Sequence, residues 1–191
     1  NLLVQREINQ ECFEILTNEK NLDDALRRVV NKVGTLFDAD TCVIGVYRGD
    51  RGSDFSLKAV WDRNGEEEKL KNIPRSLPKI RDFIWDNEYL YALATDRKFP
   101  DELQQDLDFY FDHYQVGTLF CRRIVVGGKV WGHLGLDCRR ELHLGEHEIA
   151  LMNLIGRTLQ IYIARDHVWQ QALREEQLKN LIFEVAPVPL L

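Results

Sequence analysis

Two adjacent glycines between two β-forming runs limit what this chain can fold into more than any other feature. Thr118 to Val126 and Lys129 to Asp137 are rich in β-branched, aromatic and aliphatic residues, and only Gly127-Gly128 separates them. A two-residue connection needs positive φ at both turn positions, which glycine adopts without steric cost, so the pair predicts a tight antiparallel hairpin. If the turn sets the register, Val126 pairs with Lys129, Ile124 with Trp131, Arg122 with His133, Phe120 with Gly135 and Thr118 with Asp137. Alternation then puts Leu119, Cys121, Arg123, Val125, Val130, Gly132, Leu134 and Leu136 on one nearly aliphatic face, expected to pack on helices.

Phe120, Arg122, Ile124, Trp131, His133 and Asp137 fall on the opposite face. Aromatic walls beside a guanidinium, an imidazole and a carboxylate suit a small-molecule pocket. The same polar groups also suit a half-wet sheet face with internal ion pairs. A pocket here would be closed by the mid-chain segments Ile80 to Trp85 and Leu107 to His113. The ligand-binding candidates are therefore Phe120, Arg122, Trp131, His133 and Asp137 on the sheet, with Tyr110 and His113 from the helix above.

The rest of the chain supplies the covering elements. Leu22, Leu26, Val29, Val30, Val33, Leu36 and Phe37 recur at spacings of three and four, with Asn21 as N-cap and Asp23 and Asp24 in the first turn. Leu2 to Leu16 predicts a preceding helix. After Asp38-Ala39-Asp40 the period drops to two, giving strands over Thr41 to Tyr47 and Phe55 to Asp62 around a Gly49-Asp50-Arg51-Gly52 turn. Arg63 to Arg75 is polar and acidic, hence a loop or frayed helix. Ser76 and Pro78 open a short helix, Tyr89 to Ala94 is a short strand, and Pro100 starts an acidic helix. Its carboxylates Asp101, Glu102, Asp106, Asp108 and Asp112 suit a solvated surface. From Gly145 to about Lys179 a long helix carries the stripe Leu151, Ile155, Leu159, Tyr162, Trp169 and Leu173, broken by Asp166. The class is α+β, an antiparallel sheet sandwiched between terminal helices and shorter mid-chain helices.

The 191 residues suffice for one α/β-type core, and a net charge of -6 argues against a nucleic-acid surface, which needs clustered Lys and Arg. No apolar run reaches membrane-spanning length and no signal peptide is readable, so no membrane contact and a cytoplasmic location are expected. Cys12, Cys42, Cys121 and Cys138 form no closely spaced pair; reduced, mostly buried thiols are expected, and no metal site.

Gly128-Lys129-Val130-Trp131-Gly132-His133-Leu134-Gly135-Leu136-Asp137-Cys138, followed by Gly145-Glu146-His147-Glu148 and an apolar helix, resembles the closing half of a GAF domain. Bacterial sensor kinases often carry G-[KR]-[LV]-W-G-[apolar]-[apolar]-G-[FL]-D there. Leu26 to Phe37 with Ala39 to Ile44 resembles the opening helix and strand of that family, and Tyr91 to Phe99 its central strand and following loop. The resemblance implies a GAF/PAS-like sheet and a sensory role in a two-component signalling protein, without enzymatic activity in the fragment itself. It leaves the cofactor unknown. The N-K-x(n)-F-x3-D-E signature of cyclic-nucleotide members is not readable. The His beside which bilin-binding members carry their Cys is matched at Asp112-His113-Tyr114, without the Cys. Haem would need an axial His, for which His113 and His133 are available, although a lone His is more often an ordinary polar residue.

Leu173 to Pro187, with its Leu-x-x-[apolar]-Phe-x-x-Ala-Pro pattern, resembles a linker helix running into a PAS domain. The division expected is therefore 1–20 as a linker helix, 21–165 as the GAF domain, and 166–191 as a connector helix and the start of a PAS domain. Both ends read as cut from a longer chain, with an output such as a histidine kinase elsewhere. A homodimer through the terminal helices is expected. The alternatives are a GAF-type free methionine sulfoxide reductase, which needs an activated thiolate, or a ligand-free dimerisation module.

Overall fold

A computed structural model describes residues 2–19, 21–66 and 77–185, the side chains of 2–6 and 181–185 excepted. The helices are α1 (Leu2–Asn18), α2 (Leu22–Leu36), α3 (Pro78–Asp86), α4 (Asp101–Tyr114) and α5 (Glu146–Val185). The strands are β1 (Thr41–Arg48), β2 (Asp54–Asp62), β3 (Tyr89–Leu93), β4 (Thr118–Val126) and β5 (Lys129–Cys138). Asn21 caps α2 as expected, its Oδ1 accepting from the Asp23 N–H at 2.8 Å. The predicted cap Ser76 lies outside the described residues, as do the PAS-like residues 186–191.

The five strands form one sheet in the order β2-β1-β5-β4-β3, and every neighbouring pair is antiparallel. One face packs on α1, α2 and α5, where Cys12, Leu16, Leu26, Val30, Met152 and Ile155 meet Ile44, Phe120, Ile124, Leu134 and Leu136. The other face packs on α3 and α4, where Ile80, Ile84, Leu107 and Phe111 meet Leu90, Ala92, Leu119 and Cys121. This is the α+β sandwich of terminal and mid-chain helices that the patterning predicts.

The hairpin register differs from expectation. Gly127 and Gly128 take φ of 58° and 76°, and Val126 pairs with Lys129 as predicted. A β-bulge follows: Val125 faces Val130 but Ile124 faces Gly132, leaving Trp131 as the extra residue. Every later pair is displaced by one, so Arg123 faces His133, Arg122 faces Leu134 and Thr118 faces Cys138. An extra residue changes which side chains share a face, because alternation has period two. A second bulge lies across β1: Ile44 faces Ala59 and Gly45 faces Leu57, with Lys58 between.

Helix α5 is continuous for 40 residues, as the long helix expected from Gly145 to about Lys179. Its stripe divides by burial. Leu151, Ile155, Leu159 and Tyr162 are buried, while Trp169 is 64% and Leu173 37% exposed.

Candidate functional site

The bulge splits the predicted candidate set between the two faces. Phe120 is fully buried on the terminal-helix side, stacked with Tyr89 at 5.8 Å between ring centroids. Arg122 lies on the same side, 4% exposed, beneath Gly156 of α5. Trp131 also packs against the terminal-helix core. It borders a separate groove of about 810 Å³ between the sheet and α5, with Arg48, Lys58 and Arg174. These three residues therefore do not share a face with His133 and Asp137, which corrects the co-facial arrangement predicted for them. His113 is exposed on α4, its ring stacked on Phe109 at 5.1 Å.

Tyr110, His133 and Asp137 share the face under the mid-chain helices, in two groups: Tyr110 with Asp137, and His133 with aromatic rings four residues back along β5. Tyr110 Oη donates to Asp137 Oδ2 at 2.8 Å, with both residues buried. His133, also buried, stacks on Phe55 at 5.6 Å with an interplanar angle of 7°, and Tyr47 lies 5.4 Å from the imidazole. Tyr47 in turn meets Trp85 of α3 at 5.7 Å. Burial pushes the Tyr47 phenol well above its ordinary range, so it acts as a neutral hydroxyl. Arg123, opposite His133 in the ladder, sends Nη1 to the Trp85 carbonyl at 2.6 Å.

Sequence reasoning missed Tyr47, Phe55 and Arg123, and had Trp85 only as the end of the wall segment Ile80 to Trp85. One signal for the first two was available. Gly45 interrupts the β-branched run of β1, and glycine inside a strand often marks a close approach by a neighbouring group. A Cβ at Gly45 would lie 2.6 Å from Phe55 Cζ and 2.9 Å from His133 Cε1. The glycine thus makes room for the stacked pair.

The result is a buried carboxylate held by a phenol and, further along the same face, an imidazole clustered with two aromatic rings and an arginine opposite it in the ladder. Such a set can orient a flat molecule by stacking and a few directed hydrogen bonds. Three of the four thiols are poor nucleophiles. All are buried; burial pushes Cys12 and Cys138 up to about 11 and Cys42 higher still. Among the described residues no cluster of three or more His, Cys, Asp or Glu could hold a metal ion, and no helix is long and apolar enough to cross a membrane.

The model of the GAF domain family matches residues 21–163. The chain belongs to the GAF domain family. No curated protein sequence matches it. Among solved structures it is similar to the phycoerythrobilin-bound GAF domain of a cyanobacterial phytochrome, with a TM-score of 0.72 and 16% identity over 89% of this chain and 100% of that one. It is also similar to a domain of a putative two-component sensor histidine kinase protein from Sinorhizobium meliloti 1021, with a TM-score of 0.56 and 17% identity over 77% of this chain and 93% of that one. The chromophore-binding domain of the Stigmatella aurantiaca bacteriophytochrome gives a TM-score of 0.66 and 14% identity, over 85% of this chain and 60% of that one. Likeness at these identities is a likeness of fold.

Proposed function

We propose that this GAF domain is a cytoplasmic sensory module of a larger signalling protein, in which a small molecule bound under α3 and α4 biases the packing of the terminal helices. The observation that carries this reading is the burial of Tyr110, Asp137 and His133 on the face opposite α5, with half-buried Phe55 stacked on the imidazole. Polar groups are expensive to bury, and a core needing only shape would use aliphatic residues there. Helix α5 packs against the other face and continues beyond it to Val185. A helix anchored in the domain at one end and extending past it at the other is a natural connector to a downstream output, such as a histidine kinase. The second subunit of a homodimer would cover its exposed apolar residues.

The buried, weakly acidic thiols favour this sensory role over a cysteine-dependent methionine sulfoxide reductase. The test is native mass spectrometry with an absorbance spectrum of the purified domain, wild type and His133→Ala. A co-purified small molecule retained by the wild type and lost in the variant is expected. A ligand-free spectrum, with no binding in a metabolite screen by thermal shift, would favour a purely dimerising module. Thiol-dependent turnover of free methionine sulfoxide would replace the sensory reading with the enzymatic one.

A further inference from the structure

Arg122 and Arg123 are neighbours on β4 whose side chains leave opposite faces of the sheet, yet both end on the same turn, between α3 and β3. From the α3 side, Arg123 holds the Trp85 carbonyl at 2.6 Å, and its backbone N–H donates to the Glu88 carbonyl at 3.0 Å. From the α5 side, Arg122 Nη2 donates to Glu88 Oε1 at 2.9 Å, and its Nη1 to the Glu88 carbonyl at 3.2 Å. The same Oε1 accepts from Arg157 Nη2 of α5 at 3.3 Å. One carboxylate oxygen thus ties a sheet arginine to a helix arginine.

The packing shows that this junction is tight. Arg122 is 4% exposed, and a methyl group at Gly156 would lie 2.7 Å from its Cγ, so α5 rests directly on the arginine stem. Desolvation disfavours the Arg122 cation, Glu88 offsets that, and Arg157 and Arg123 add like charge. Without Glu88, a buried cation would stand near two others.

We propose that Glu88 is the positioning residue that couples α3, a wall of the candidate ligand site, to α5 on the far side of the sheet. The inference rests on reading the α3 face as the sensing side. A shift of α3 drags the Trp85-to-Glu88 turn. The Arg122 backbone is fixed by the sheet ladder and the Arg157 backbone by the helix, so a Glu88 that follows α3 strains both bonds. Movement on the sensing face therefore reaches α5 as the gain or loss of one ion pair near Gly156. The Arg157 leg is solvent-exposed and weak, whereas the Arg122 leg is buried at the guanidinium end, half-exposed at Glu88, and stronger.

Hydrogen exchange on the ligand-free domain tests this by loosening the turn from the α3 side with Arg123→Met. Exchange should quicken in the α3–β3 turn and, by about two- to threefold, in α5 around residues 153–160, the size of the exposed leg. Helix α2 lies on the same face and should not change. Glu88→Gln alone should quicken the same part of α5 by about tenfold, and Arg123→Met should then add nothing there. Arg157→Gln, an exposed change, serves if Glu88→Gln does not fold. The inference is overturned if α5 is unaffected, if α5 and α2 change together as in global loosening, or if the effect of Arg123→Met persists without Glu88. Because no ligand is used, a failure here is separate from a failure to find one in the mass spectrum.

Discussion

Asp137 carries a polar side chain at 7% exposure and takes a hydrogen bond from Tyr110, which ties α4 to β5. Tyr110→Phe removes that donor with little change of shape. It should lower unfolding stability by about 1–3 kcal/mol, read as a reduced urea midpoint at unchanged slope. The thiols predict a pH effect of known sign. Burial raises Cys12 and Cys138 from 9.0 to about 11, so above pH 9 the unfolded chain loses these protons before the folded one does. Stability should be insensitive to these groups below pH 9 and decline as pH rises from 9 towards 11. Replacing both with alanine should make that decline shallower in urea titrations, with buried Cys42 supplying the remainder, and an unchanged alkaline profile would contradict the assignment. In the native state a disulfide reagent should leave all four cysteines largely unmodified at pH 8, and urea should expose them.

At the scale of elements, the hairpin turn and the bulge behind it make opposite demands on glycine. Gly127 has positive φ but nothing within 4 Å of a would-be Cβ, so Gly127→Ala meets only backbone strain, about 1–2 kcal/mol. Gly132 lies where β5 crosses close to β1, and its Cβ would collide with the Gly45 carbonyl oxygen. That neighbour is backbone within a sheet and cannot rotate away, so Gly132→Ala should cost more than about 3 kcal/mol. Comparing the two variants in equilibrium unfolding checks the ordering. The turn was legible because the backbone geometry of two residues dictates it. The bulge was not, because it depends on how Trp131 and Gly132 meet β1 and α5. One inserted residue moved Arg122 and Phe120 away from His133.

For the whole molecule, α5 joins the folded body to an exposed apolar surface. Ile163 is fully buried, whereas Val168 and Trp169 are 70% and 64% exposed. We expect a second copy to cover this part of the helix in a parallel dimer. Trp169→Glu with Leu173→Glu should then halve the mass seen by light scattering and leave the melting temperature of the core within a few degrees. A wild-type monomer at tens of micromolar would refute the assembly.

What the sequence determined by itself is what local physics controls: α2 and its Asn21 cap, the glycine turn, the three-layered sandwich implied by alternating and helical periods, and the family that these elements define. Tyr110, His133 and Asp137 were also singled out from sequence as ligand-binding candidates, and all three are buried. Only tertiary structure decided which candidates meet. The two bulges, the Phe55–His133 stack over Gly45, and the convergence of Arg122, Arg123 and Arg157 on the α3–β3 turn all depend on contacts between residues distant in the chain. A pattern of period two carries no record of such contacts, because one extra residue reverses every face beyond it.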